Sequence, residues 1–131
     1  MSVIAIIPAR SGSKSVPNKN IRVLGDVPLL GWVVKAASKS NLIDKIIFSS
    51  DSDEYFRIAK SFNDKLIFHK RSSELSEDVS SEFVLLNVLE NFKEFFDDNS
   101  IIVMLQATTP FISTHNIDAC ISFLRSSVSS M

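Results

Sequence analysis

A chain of 131 residues with 45% apolar and 22% charged residues has the make-up of one globular unit, which excludes a disordered polymer. Its net charge of −1 excludes an overall field that would draw nucleic acid or an anionic membrane. The charge is unevenly placed: Arg10, Lys14, Lys19 and Arg22 all precede the first acid, Asp26, leaving 10 of the 14 cations against 15 acids in residues 23–131.

Cations gathered in one short segment point to a small anionic ligand rather than a long polyanion. Cys120 is the only cysteine, so no intrachain disulfide forms, and a reducing, cytoplasmic setting is expected. The SVIAII run at the start is too short to span a bilayer and lacks the flanks of a signal peptide.

Val3–Ile7 is a continuous apolar run ended by Pro8, the pattern of a parallel strand buried on both faces. Residues 8–27 read as a loop rich in Ser, Gly, Pro and Asn. Pro28 stands where a first-turn proline belongs, and Leu29, Leu30, Val33, Val34 and Ala37 follow at helical spacing. Lys45–Ser49 predicts a second strand. Asp51 or Ser52 is the expected cap of a helix bearing Tyr55, Phe56, Ala59 and Phe62.

Lys65–His69 predicts a third strand. Val79, Phe83, Leu86, Leu89, Phe92 and Phe96 mark a long amphipathic helix, with Ser80 and Ser81 as candidate caps for residues 82–96. Ser100–Leu105 predicts a fourth strand. Ile117, Cys120, Ile121 and Leu124 define the core stripe of a last helix, and Ser127–Met131 is expected to begin a fifth strand with an apolar edge. Strands alternating with helices in this way predict a three-layer, doubly wound, mainly parallel α/β sheet. Ligands bind such sheets beyond the carboxyl ends of the strands, near the topological switch point. The loop at 8–22, Asp51 and the Gln106–Pro110 loop all follow strands, so they should gather there.

Phosphate oxygens only accept hydrogen bonds, so a phosphate site combines backbone amides, hydroxyls and cations. Ser11, Gly12 and Ser13 let the backbone approach closely, Arg10 offers a planar fork, and Lys14 and Lys19 offer mobile point charges. The spacing is neither G-x-x-x-x-G-K-[ST] nor G-x-G-x-x-G. A solvated basic loop is the plainer alternative. His69 and His115 lack neighbours at metal-ligand spacing and read as structural. Trp32 and the 10 Phe residues read as core or interface; no aromatic interleaves with the basic loop as single-strand binders require.

The stretch IIPARSGSKSVPNKNI resembles the signature IPARGGSKGIPxKNI of the CMP-sialic acid synthetases (N-acylneuraminate cytidylyltransferases). Three more stretches are similar in order and spacing. IIFSSDSDEY resembles the family's strand ending in Ser/Thr-Asp, KRSSELSEDVSSE resembles R-P-x-E-L-A-x-D-x-A-S-S, and MLQATTPFIS resembles LLQPTSPLR. There are departures. DVSSE is one residue shorter than its counterpart, Ala107 replaces the usual Pro, and Ile112 stands where an Arg is common.

The resemblance implies a Rossmann-like nucleotidyltransferase that couples CTP to a nine-carbon acidic sugar and releases pyrophosphate. It implies that Arg10, with Ser11, Gly12, Ser13 and Lys14, cradles the outer phosphates, that Lys19 reaches the α-phosphate, and that Asn20 bonds near the ribose. Arg10 and Lys19 are thereby the implied catalytic residues. Arg71, Ser80 and Ser81 match the segment that reads cytosine, and Gln106 matches the glutamine facing the sugar. Asp51 matches the family's Ser/Thr-Asp aspartate, for which a helix cap is the competing role. Family members extend well past position 131; the remainder holds the Mg²⁺ ligands, so none is expected here, and it supports a homodimer. Residues 1–131 are therefore expected to form one incomplete cytidylyltransferase domain that binds CTP weakly and does not turn over.

Three alternatives remain open at this point. The acceptor could be another sugar acid, such as legionaminic acid, pseudaminic acid or KDO. A receiver-type domain shares the alternation but needs acids just after its first strand, and none occurs in the first 25 residues. A flavodoxin-like FMN module, or another non-catalytic phosphate-binding α/β unit, has a Ser-rich first loop, although three cations are hard to place around one phosphate.

Overall fold

The computed structural model describes residues 2–9, 23–24, 27–70, 81–106 and 113–129. Strand β1 (Val3–Pro8) is followed by two short strands, β2 (Val23–Leu24) and β3 (Val27–Pro28), then helix α1 (Leu29–Ser38). Next come β4 (Lys45–Ser50), α2 (Asp53–Lys60), β5 (Ile67–Lys70), α3 (Ser81–Asn91), a 3₁₀ turn at Lys93–Phe95, β6 (Ile101–Met104) and α4 (Thr114–Ser129). The main sheet has four parallel strands in the order β5-β4-β1-β6. β2 and β3 pair antiparallel, so residues 23, 24 and 27, expected in a loop, belong with Pro28 to a small two-stranded sheet.

β1 is central, and each of Val3–Ile7 is wholly buried, as its unbroken apolar run requires. Alternation decides which layer each residue serves. Val3, Ala5 and Ile7 pack with Leu30, Val33, Val34 and Ala37 of α1, Tyr55 and Ala59 of α2, and Ile117 and Ile121 of α4. Ile4 and Ile6 turn the other way, with Ile47, onto Val84 and Val88 of α3. Helices thus cover both faces, and the winding reverses between β1 and β6.

Backbone hydrogen bonds carry the ladder past the strand ends. The Ala9 amide donates to the Ser49 carbonyl at 2.8 Å, and the Leu105 amide donates to the Ile6 carbonyl at 2.9 Å. At the opposite end the Val3 amide donates to the Asp44 carboxylate at 2.7 Å. α4 is tied to α1 by Thr114 Oγ1 donating to the Ala36 carbonyl at 2.7 Å and by the Ser40 hydroxyl on the Asp118 carboxylate.

Several expectations are corrected. Residues up to Ser129 belong to α4, so no fifth strand and no strand edge begins at Ser127. Cys120 is exposed, and the stripe that α4 buries is Ile117 and Ile121, with Leu124 packed beside them. α3 ends at Asn91 rather than near 96, and it buries Val84 and Val88, whereas Phe83 and Leu86 are 41% and 64% exposed. FVLLNVL is apolar around most of its circumference, so periodicity alone selects no face. The third strand lies at Ile67–Lys70, because Asn63–Lys65 form a turn in which the Asn63 side chain accepts from the Lys65 amide. Pro28 precedes α1 with an extended ψ of 153° and pairs with Val23, so it sits outside the first turn.

Candidate nucleotide site at the carboxyl edge of the sheet

Parallel pairing sets Pro8 opposite Ser49, and Ser50 opposite Lys70. Ile6 pairs with Met104, so the ends of β1, β4, β5 and β6 form one edge. The chain leaves this edge at Ala9, Asp51, Lys70 and Leu105. The reversal lies between β1 and β6, so the described ends of these strands, at Ala9 and Leu105, stand on either side of the position where doubly wound sheets bind ligands.

The SSDS stretch after β4 is held by its own hydroxyls. Ser50 Oγ accepts from the Ser52 amide at 3.1 Å, and Ser52 Oγ accepts from the Tyr55 amide at 3.1 Å as the N-cap of α2. Ser52, and not Asp51, is therefore the cap; Asp51 stands half-buried at the same edge. Desolvation, then the Asp51 and Glu54 carboxylates, push the Tyr55 hydroxyl up to about 12. Asp53 and Glu54 occupy the first turn of α2, where the helix dipole favours acids, and Lys70 bridges to Asp53 at 2.9 Å on the surface.

Behind the edge lies a polar cluster that no motif announced. Ser49 is wholly buried, and its Oγ lies 2.7 Å from His69 Nδ1; His69 Nε2 lies 2.6 Å from Asn87 Oδ1 on α3. A carbonyl oxygen only accepts, so Nε2 carries a proton, and in the neutral ring Nδ1 accepts from Ser49. Phe92 packs edge-on against the same imidazole at 5.9 Å. The sequence reading of His69 as structural missed both partners, because Ser49 stands 20 residues away and meets it only through strand register.

Of the residues implied to bind nucleotide, Arg10, Ser11, Gly12, Ser13, Lys14, Lys19, Asn20, Arg71 and Ser80 lie outside the described residues. Ser81 is the first residue of α3. Gln106 is exposed, two residues beyond the end of β6. Among the described residues no three His, Cys, Asp or Glu side chains gather in a way that would hold a metal ion. No described helix is long and apolar enough to cross a membrane. An open hollow of about 330 Å³ between Ser38, Asp44, Lys45, Asn63 and Lys65 lies at the amino ends of the strands, away from this edge.

Residues 4–131 match the family model described as Cytidylyltransferase. The chain belongs to the cytidylyltransferase family. It is 41% identical over 114 residues to N-acylneuraminate cytidylyltransferase B of Danio rerio, covering 87% of this chain and 26% of that protein. It is 40% identical over 118 residues to the Escherichia coli N-acylneuraminate cytidylyltransferase, covering 89% of this chain and 27% of that one. A CMP-N,N'-diacetyllegionaminic acid synthase of Legionella pneumophila is 34% identical over 115 residues, covering 85% of this chain and 48% of the relative.

The chain thus spans about a quarter of the first two relatives' length. Among solved structures, a CMP:2-keto-3-deoxy-manno-octonic acid synthetase complexed with CTP matches with a TM-score of 0.77 and 19% identity, over 96% of this chain and 48% of that one. A 4-diphosphocytidyl-2C-methyl-D-erythritol synthase matches with a TM-score of 0.68 and 12% identity, over 90% of this chain and 52% of that one. These likenesses show the nucleotidyltransferase fold.

Proposed function

We propose that this member of the cytidylyltransferase family forms the CTP-binding part of an enzyme that transfers CMP from CTP to an N-acylneuraminate-type sugar acid. The observation that carries the reading is the place where the cationic segment departs. Arg10 follows directly on Ala9, at the carboxyl end of the central strand and beside the reversal of the sheet. The identity of about 40% to two N-acylneuraminate cytidylyltransferases supports the choice of acceptor.

In this reading the sugar's anomeric hydroxyl gives up its proton to solvent as its oxygen bonds the α-phosphorus, and the bond from that phosphorus to the bridging oxygen of pyrophosphate breaks. Arg10, Ser13 and Lys14, with the amides of Ser11 and Gly12, neutralise the departing phosphates. Lys19 stabilises charge at the α-phosphate, and Asn20 orients the ribose. Arg71, with Ser80 and Ser81, reads cytosine, and Gln106 presents its amide to the sugar acid. Mg²⁺ and its ligands belong to the proposal for the whole protein, as do a homodimer and a cytoplasmic setting.

A second acceptor class has its own support, since the legionaminic acid synthase matches over 85% of this chain. Pyrophosphate release from CTP by the whole protein, measured with N-acetylneuraminate, a legionaminate and KDO in turn, separates the two. Release with N-acetylneuraminate above the others supports the first acceptor. Release with the legionaminate or KDO alone replaces it, and preferential use of another nucleoside triphosphate overturns the cytidyl assignment.

A further inference from the structure

The Ser49–His69–Asn87 cluster has the partners of a nucleophilic relay, but Ser49 is wholly buried. Its geometry suits a different task. Ser49 and His69 are register partners on β4 and β5, and Ser49 shares the α3-facing side of β4 with Ile47. Asn87 lies on α3, and Asn91 Nδ2 donates to the same Oδ1 at 3.3 Å from one turn further on. The His69–Asn87 bond therefore joins the element before residues 71–80 to the element after them, while the His69–Ser49 bond holds β5 to β4.

The apolar contacts beneath α3, through Val84 and Val88, are non-directional and tolerate a small slide along the helix axis. A 2.6 Å hydrogen bond does not, since one residue of helix rise is about 1.5 Å. We propose that His69, through its hydrogen bonds to Ser49 and Asn87, is a positioning residue that fixes α3 in register against β5 and β4 and thereby sets the preference of the nucleotide site for cytosine. The inference rests on the nucleotide reading above.

The test is calorimetric titration of the protein with CTP and UTP, which differ only in the base, beside His69→Phe, Asn87→Leu and Asn87→Asp variants checked by thermal melting. Asn87→Leu keeps the side-chain volume and removes the acceptor, and a folded variant should lose about tenfold in CTP affinity with UTP affinity unchanged. Asn87→Asp restores an acceptor for Nε2–H and should restore the preference, which a purely structural role would not require. His69→Phe should behave as Asn87→Leu does. Folded leucine and phenylalanine variants with the original CTP preference would overturn the inference and leave the nucleotide reading standing. Loss of folding in both would also overturn it, by assigning the cluster to stability. Equal binding of CTP and UTP by the unaltered protein would instead remove the nucleotide reading, and this inference with it.

Discussion

Ser52 closes α2 through one hydrogen bond to the Tyr55 amide, and an alanine there leaves that first-turn donor without its partner. Ser52→Ala should lower stability by about 1 kcal/mol in urea unfolding. Asp51→Ala should leave helix capping intact, because Asp51 is not the cap. Tyr55 gives a cleaner electrostatic readout, since it is the only tyrosine in the chain. Its hydroxyl stands at about 12 in the folded protein against 10.0 in the open chain. The neutral form is the one the fold favours, so this contribution to stability is fully present below pH 10 and is lost as pH rises towards 12. Phenolate absorbance should titrate near 12 in the native protein and near 10 in urea; a native midpoint at 10 would contradict the burial and the Asp51 field that raise it.

At the scale of elements, α3 has two apolar faces and uses one. Leu86→Gln on the exposed side should change stability by less than about 0.5 kcal/mol. Val88→Ala on the buried side should cost about 2 kcal/mol, both read from urea midpoints. The reverse order would mean that the helix packs through the face first expected from Phe83 and Leu86. This helix marks the boundary of what the sequence reveals. β1 was legible because an unbroken apolar run ended by proline has few other uses, and α2 because Ser-Asp-Glu precedes a clear stripe. The face of α3 was not, since Phe83, Val84, Leu85 and Leu86 are consecutive and only the sheet beneath chooses among them. Cys120 was assigned to the core for the same reason: it is three residues beyond Ile117, yet Ile121 is the residue that reaches the core. The continuation of α4 to Ser129 was hidden by a serine-rich sequence with little preference for either state. The Ser49–His69–Asn87 cluster left no local signal at all, because strand register and helix packing create it.

For the whole molecule, the order β5-β4-β1-β6 brings four strand ends to one edge and reverses the winding beside β1. That topology gives the uneven charge of the sequence its meaning. In the sequence, Arg10, Lys14, Lys19 and Arg22 follow Ala9, which ends the central strand beside the reversal, while residues 23–131 carry an excess of acids. The alternation of strands and helices was readable from the sequence; that the cationic segment adjoins the reversal required the strand order. The central claim is tested most directly by calorimetric titration of the protein with CTP, ATP and GTP in Mg²⁺, repeated with Lys19→Ala. The account predicts that CTP binds in preference to the purine nucleotides and that Lys19→Ala weakens CTP binding at least about tenfold, as expected when a charge-assisted contact to phosphate is removed. Equal, weak binding of all three nucleotides, unchanged by the substitution, would contradict it and reduce the segment to a solvated basic loop.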